Sequence, residues 1–191
     1  LDGRHLAIKD QYPGVRPSID SDIDNVASLL RISGLLPRGL DIEPLLQDAK
    51  RQLHAEADYL REGDWLSQYG RLLADRPEYL LPEMHADLTT ENVLAMCCMG
   101  GVPVESLIHS AQAERDRVVS LLITLLFREI FDFQLIQTDP NFANYRYDTA
   151  TRQLILLDFG ATRVYPAAIV DAYRRLLVGA MAGDRSAMST A

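Results

Sequence analysis

Asp139 and Asn144 lie five residues apart, and Asp158 follows Asn144 by 14. The pattern is a D-x-x-x-x-N step followed by a D-F-G tripeptide, Asp158-Phe159-Gly160. A carboxylate and a carboxamide are hard oxygen donors, the type that Mg²⁺ takes when it bridges nucleotide phosphates. Asn144 and Asp158 are therefore candidate metal ligands. Asp139 is the candidate catalytic group, placed to orient or deprotonate an acceptor beside a γ-phosphate. The plainer alternative is an ordinary hairpin with an Asx-turn at Asp139-Pro140 and a solvated Asp158. D-F-G alone would not displace it. The upstream spacing and an apolar helix before it do.

Two further stretches carry charge that such a site needs. "LAIK" ends in Lys9, the candidate lysine for α- and β-phosphates, and reads like the strand lysine of a kinase-type site. A surface lysine at a strand end is the alternative if the motif stood alone. "HAEADYLREGDW" holds Glu56, Asp58, Glu62 and Asp64. On a regular helix Glu56 and Asp58 point about 200° apart, so they share one compact site only if the helix is distorted. One of these two, or Glu62, can pair with Lys9. A solvated acidic face is what composition alone suggests.

The elements that position these groups follow from periodicity. "HLAIKDQY" reads as a strand closed by Pro13-Gly14. From Ser18 the spacing predicts a helix with Ile19, Ile23, Val26, Leu29 and Leu30 on one face and Ser18 or Asp20 as its cap. Pro37 and Gly39 end that segment. A second helix is predicted from about Ile42 to Leu73, with a break near Gly63 or Gly70. "LLPEMH" and "NVLAMCC" read as strands, and "MGGVPV" as a joint. Residues 105–135 are predicted helical, and "TLLFREIFDFQLI" is apolar almost all round, as a core helix would be. "NYRYD" and "QLILLDF" read as strands joined by "TATR", and "AAIVDAYRRLLVGAMAG" as an amphipathic helix. The order predicts an α+β chain in two lobes. Residues 1–98 form a partial N-lobe with a helical insertion, 99–104 a hinge, and 105–191 a partial C-lobe.

Composition bounds the partners. The chain has 191 residues, is 48% hydrophobic, and carries a formal net charge of −8. That balance suits a folded domain and argues against a general nucleic-acid binder. The two cysteines, Cys97 and Cys98, are neighbours and build no disulfide framework, which fits an intracellular, reducing compartment. On a strand they read as small hydrophobes. The histidines His5, His54, His85 and His109 show no ligand spacing. No run reaches the roughly 20 apolar residues of a membrane span, and no signal peptide is legible. The first residue is Leu, so the expectation is a piece of a longer protein.

Taken together, "LAIKDQYPGV", "AEADYLREGDW", "IQTDPNFANY" and "LLDFGATR" resemble the UbiB/AarF family of atypical protein-kinase-like proteins, linked to ubiquinone biosynthesis. The resemblance covers nearly the whole chain. It implies a protein-kinase-like fold and ATP or ADP with Mg²⁺ as cofactors. It implies that Lys9 contacts ATP phosphates and pairs with Glu62, that Glu56 and Asp58 form the family's E-x-D motif, and that Asp139 is the catalytic-loop aspartate. Asn144 and Asp158 would bind the metal. Met96, Cys97, Cys98 and Met99 would form the strand and hinge whose backbone groups pair the adenine edge. The implied activity is that of an atypical kinase or ATPase supporting ubiquinone biosynthesis. The implied partners are biosynthesis proteins and lipid or quinone-like molecules, in a bacterial cytoplasm at the membrane periphery or in a mitochondrial matrix. A nucleotide-sensing pseudokinase scaffold without turnover and a small-molecule phosphotransferase are the alternatives. The second should lack E-x-D and Y-P-G-V. The family's K-x-G-Q segment and Ala-rich phosphate cover are absent from these residues, and Cys97 stands where the family tends to have an acidic residue.

Overall fold

In the computed structural model, residues 3–34 and 40–189 are described. They divide into two compact units. One takes the chain up to Tyr69, with Pro82–Met99 and Asp158–Ala161; the other takes Gly70–Leu81, Gly100–Leu157 and the rest from Thr162. The mixture of helices and sheets is the α+β class that the pattern predicts.

In the first unit, β1 (Leu6–Asp10) pairs antiparallel with β3 (Val93–Cys97), and Lys9 stands opposite Leu94. Leu94, Ala95 and Met96 are buried, as expected of an apolar run that is covered on its faces. Three helices accompany this ribbon: α1 (Val15–Ser33), α2 (Glu43–Glu56) and α3 (Tyr59–Leu72). The first helix begins earlier than its spacing suggests. Gly14 is its N-cap at φ 89°, so neither Ser18 nor Asp20 caps it; Ser18 Oγ instead donates to the Val15 carbonyl. Its buried residues are Ile19 and Ala27, whereas Val26 and Leu29 are 50% and 68% exposed. The predicted apolar face is thus rotated toward the small Ala27. Pro37 and Gly39 lie outside the described residues.

The long helix predicted from Ile42 to Leu73 is two helices, and neither glycine breaks it. The break falls at Ala57-Asp58, where Asp58 Oδ1 accepts the Arg61 N–H at 3.1 Å and so caps α3. Gly63 sits inside α3 because Met84 Sδ would lie 2.3 Å from a Cβ there.

In the second unit, the strands β2 (Tyr79–Leu80), β4 (Val102–Pro103), β6 (Tyr145–Asp148) and β7 (Gln153–Leu156) form a sheet in the order β2-β7-β6-β4. The predicted hairpin is β6–β7, with Tyr147 opposite Leu154. Both residues are fully buried, and Ile155 and Leu135 share their core. The "LLPEMH" strand is only partly realised, since Pro82 has no N–H to continue a ladder. Its start lies in β2, and Met84 makes an isolated bridge to Met96.

The predicted core helix ends sooner than its apolar run. Here α4 covers Gln112–Arg128, a π-turn follows over Glu129–Phe133, Gln134 turns at φ 52°, and Leu135–Gln137 is a strand, β5. This strand pairs with β8 (Thr162–Val164). Val118, Leu121 and Leu125 are buried, while Ile123, Leu126 and Phe127 are exposed, so one face alone serves the core. The tail helix α5 (Ala167–Ala182) forms as predicted, with α6 (Arg185–Ser189) after it.

Tyr79 ties this unit together: its hydroxyl donates to the Leu121 carbonyl at 2.8 Å. Burial, ahead of the neighbouring charges, pushes its pKa to about 12. A phenol held protonated stabilises the fold below its ordinary value of 10.0, and this contribution is lost as pH rises through about 12. In an alkaline absorbance titration, Tyr79→Phe is expected to remove amplitude only from the high-pH limb. Amplitude lost near pH 10.0 would contradict this placement.

Candidate functional site

Strand β1 brings Lys9 to the first turn of α3 and to the D-F-G segment, all within the first unit. Lys9 Nζ lies 2.5 Å from Glu62 Oε1 and 2.8 Å from Asp158 Oδ2. Of the carboxylates left open by the sequence, Glu62 is the one that reaches Lys9, across 53 residues of chain. Glu62 is 3% exposed, whereas the Lys9 and Asp158 side chains are 30% and 33% exposed. The pair is anchored from within and keeps an accessible edge. The D-F-G backbone completes the cradle: the Phe159 N–H donates to Glu62 Oε1 at 3.3 Å, and the Gly160 N–H to Asp158 Oδ1 at 3.0 Å. Phe159 is buried beside Tyr69, with ring centroids 4.9 Å apart. That contact fixes the position of the adjoining Asp158.

The charges explain each other. Burial works against the Lys9 ammonium, but Glu62 and Asp158 outweigh it by charge and hydrogen bond and hold its pKa above the ordinary value. Burial raises the Glu62 carboxyl; Lys9 pulls it down, Asp158 pushes it up, and the net direction is upward. Two carboxylates thus compete for one ammonium, a cluster that a further cation near Asp158 would relieve.

In the second unit, Asp139 and Asn144 form a pair of their own. Asn144 Nδ2 donates to Asp139 Oδ2 at 2.9 Å, so the donor end of the amide is turned to the aspartate. The Asp139 N–H donates to Gln137 Oε1 at 2.5 Å, and Asn141 Oδ1 accepts the Ala143 N–H at 3.0 Å. The Leu157 N–H donates to the Asn144 carbonyl at 3.0 Å, so the hairpin returns the chain to Asn144 one residue before Asp158.

Glu56 and Asp58 take separate tasks. Glu56 ends α2 and accepts from Gln52 at 3.0 Å. Asp58 caps α3 and lies 3.9 Å from Arg16. Neither bonds Lys9. The helix distortion that a shared site requires is present as the break between them, and Gln11 Nε2 pins that break by donating to the Ala57 carbonyl at 3.1 Å.

Met96 is buried, and the N–H groups of Cys97 and Cys98 are occupied by the Glu83 and His5 carbonyls at 2.9 and 3.0 Å. Those two amides therefore have no donor to offer an adenine edge. Sequence reasoning did not single out Gln11, Gln137 or the Phe159 N–H. The two glutamines stand inside the quoted motifs, which was the available signal.

Comparison with known proteins shows the family of the chain. The family model described as "ABC1 atypical kinase-like domain" matches residues 1–191. The chain is 40% identical over 184 residues to "Atypical kinase COQ8B, mitochondrial" of Rattus norvegicus, covering 96% of this chain and 35% of that protein. It is 37% identical over 183 residues to "Atypical kinase COQ8, mitochondrial" of Saccharomyces cerevisiae, covering 96% and 36%. It thus spans about a third of the length of these relatives. Among solved structures, Rv3197 of Mycobacterium tuberculosis, determined in complex with erythromycin, superposes with a TM-score of 0.77 at 22% identity, covering 99% of this chain and 48% of that one. The fold is protein-kinase-like, and the resemblance read from the motifs holds. The chain belongs to the ABC1 atypical kinase-like domain family.

Proposed function

We propose that this chain is the nucleotide-binding part of an atypical kinase or ATPase that takes ATP or ADP with Mg²⁺ and supports ubiquinone biosynthesis. The Lys9–Glu62–Asp158 cluster carries this reading. A lysine held by a buried glutamate is oriented for α- and β-phosphate oxygens, and Asp158 presents a carboxylate that a metal would otherwise neutralise.

The donor set fits Mg²⁺. Asp158 offers a carboxylate that is 33% exposed and Asn144 an amide oxygen; their assignment to one ion comes from the D-x-x-x-x-N and D-F-G pattern. Among the described residues no group of three or more His, Cys, Asp or Glu forms a cage. Mg²⁺ characteristically relies on one or two protein oxygens together with substrate phosphates. When bound, the ion would supply charge neutralisation for the phosphates. Lys9 binds and orients them. Asp139, exposed and steered by the Asn144 amide, accepts or positions the proton of an acceptor group. Catalysis is thus positioning and charge neutralisation, without a covalent enzyme intermediate.

The residues that would frame the adenine are Met96, Cys97, Cys98 and Met99. The break between Glu56 and Asp58 would face the phosphates. Relatives whose names carry "mitochondrial" favour a mitochondrial matrix or a bacterial counterpart. No helix of the described residues is long and apolar enough to cross a membrane.

Asp158→Asn tests the metal role. A carboxamide keeps the shape but removes the charge that a hard cation needs. By isothermal titration the variant is expected to lose at least about tenfold in affinity for Mg²⁺-nucleotide and much less for metal-free nucleotide. Equal losses in the two conditions would remove Asp158 from the metal site.

A further inference from the structure

Within the second unit, a cavity of about 600 Å³ opens between the start of β2, one side of α4 and the turn from β6 to β7. Pro77, Glu78, Arg117, Leu121, Arg152 and Gln153 line it, and none of them belongs to the residues assigned to nucleotide or metal. The charges around this cavity do not balance. Arg76 holds Glu78, with Nε at 2.7 Å from Oε1. Arg152 holds both oxygens of Glu114 at 3.2 and 3.0 Å, and the buried Tyr147 hydroxyl donates to the same carboxylate. Arg117 has no carboxylate of its own. It forms no ion pair among the described residues, although Glu78 and Glu114 both feel its charge. Its Nη2 donates to the Arg152 carbonyl at 3.2 Å, and its Nε is buried without a hydrogen-bond partner. Arg76, Arg117 and Arg152 thus stand against Glu78 and Glu114, which leaves a local excess of one positive charge in a chain whose net charge is −8.

We propose that this cavity binds a small organic monocarboxylate with an apolar body. A planar guanidinium matches a carboxylate through two parallel hydrogen bonds, and Arg117 is the guanidinium here that lacks such a partner. One uncompensated positive charge asks for one negative charge. Leu121 lies one helical turn from Arg117 on the same side of α4 and is 8% exposed; with Pro77 it offers carbon surface to the body of the ligand. That apolar floor also lowers the local dielectric, which strengthens a charge pair formed against it. A doubly charged phosphate fits less well, because Glu78 stands in the same wall. A cation would face Arg117 and Arg152, and a neutral hydrocarbon would leave Arg117 unpaired. The volume lies inside the range of roughly 300–1,000 Å³ that small-molecule sites occupy.

Cyclohexanecarboxylate is the probe, cyclohexanecarboxamide its neutral isostere, and inorganic phosphate the more highly charged competitor. Titrated into the 191-residue chain by calorimetry or by NMR shift perturbation, the carboxylate is expected to bind at least about tenfold more tightly than the amide. Phosphate is expected to bind more weakly than the carboxylate. Arg117→Gln should cost about tenfold or more in carboxylate affinity. Glu78→Gln removes the repelling charge while its amide oxygen can still accept from Arg76, so it should tighten carboxylate binding by about threefold. A gain of this kind cannot come from a damaged fold, and it decides the matter even where Arg117→Gln loses stability with its bond to the Arg152 carbonyl. None of these measurements involves nucleotide, so this proposal and the nucleotide reading stand or fall separately. Equal affinity for the carboxylate and the amide, phosphate binding as tight as the carboxylate, indifference to Arg117→Gln, no gain from Glu78→Gln, or no carboxylate binding would each overturn the proposal.

Discussion

Lys9→Ala is expected to destabilise the protein by about 3 kcal/mol at about pH 8, and by about half of that at about pH 5. The reason is the partner left behind. Glu62 is 3% exposed, and Lys9 supplies its only cation among the described residues. A buried carboxylate without a cation either bears the desolvation cost or takes up a proton. Burial already lifts the Glu62 carboxyl above its ordinary 4.5 against the pull of Lys9. Without Lys9 it rises further. The folded variant then binds more protons than the unfolded chain, so its stability falls as pH rises above the ordinary carboxylate range. The wild type shows the same decline more weakly, because Lys9, its pKa held above the ordinary 10.5, stays charged and pulls the Glu62 carboxyl down. Denaturant unfolding of both proteins at the two pH values reads this directly. A loss of equal size at both would mean that Glu62 is not the group responding. Nucleotide affinity measured on the same variant should fall as well, but that result depends on the proposed function, whereas the pH signature does not.

Gly101→Ala is the second large effect expected, about 2–4 kcal/mol of stability lost. Gly101 sits at φ +77°, a region that disfavours any side chain, and a Cβ there would lie 2.8 Å from the Tyr147 carbonyl oxygen and 3.0 Å from Ile155 Cδ1. The closest obstacle is backbone of a fully buried strand residue and cannot swing aside. The segment itself is clamped, since Arg146 donates to the Gly100 carbonyl at 2.8 Å and to the Gly101 carbonyl at 2.6 Å. Gly100 is the control: it has nothing within 4 Å of a built Cβ and no positive φ. Gly100→Ala should therefore change the melting temperature little, while Gly101→Ala lowers it by roughly 5–15 °C. If the two variants melt together, the chain here relaxes and the close approach is not a constraint.

The sequence by itself determined the family and the candidate groups. Residue type and spacing marked Asp139, Asn144, Asp158 and Lys9 as candidates, because the phosphate and Mg²⁺ chemistry proposed for them restricts which side chains can serve and the motifs are local. The hairpin from Tyr145 to Leu156 was legible for the same reason: its alternation and its turn lie within a dozen residues. Where several carboxylates stood close in the chain, spacing was not enough. Glu56, Asp58 and Glu62 each can lie near a helix start, and only tertiary packing, which buries Glu62 between Lys9 and the Phe159 N–H, chose among them. The helix break at Ala57-Asp58 was hidden because Asp58 acts through a cap and Gln11 holds the junction from 46 residues away. Likewise, the apolar run after Ile123 gave no sign of where helix yields to strand. Apolarity is shared by both, and it is the pairing of Leu135–Gln137 with Thr162–Val164 that decides. Local rules name the candidate groups; which of them meet is set by contacts between residues far apart in the chain, for which a single sequence carries no period.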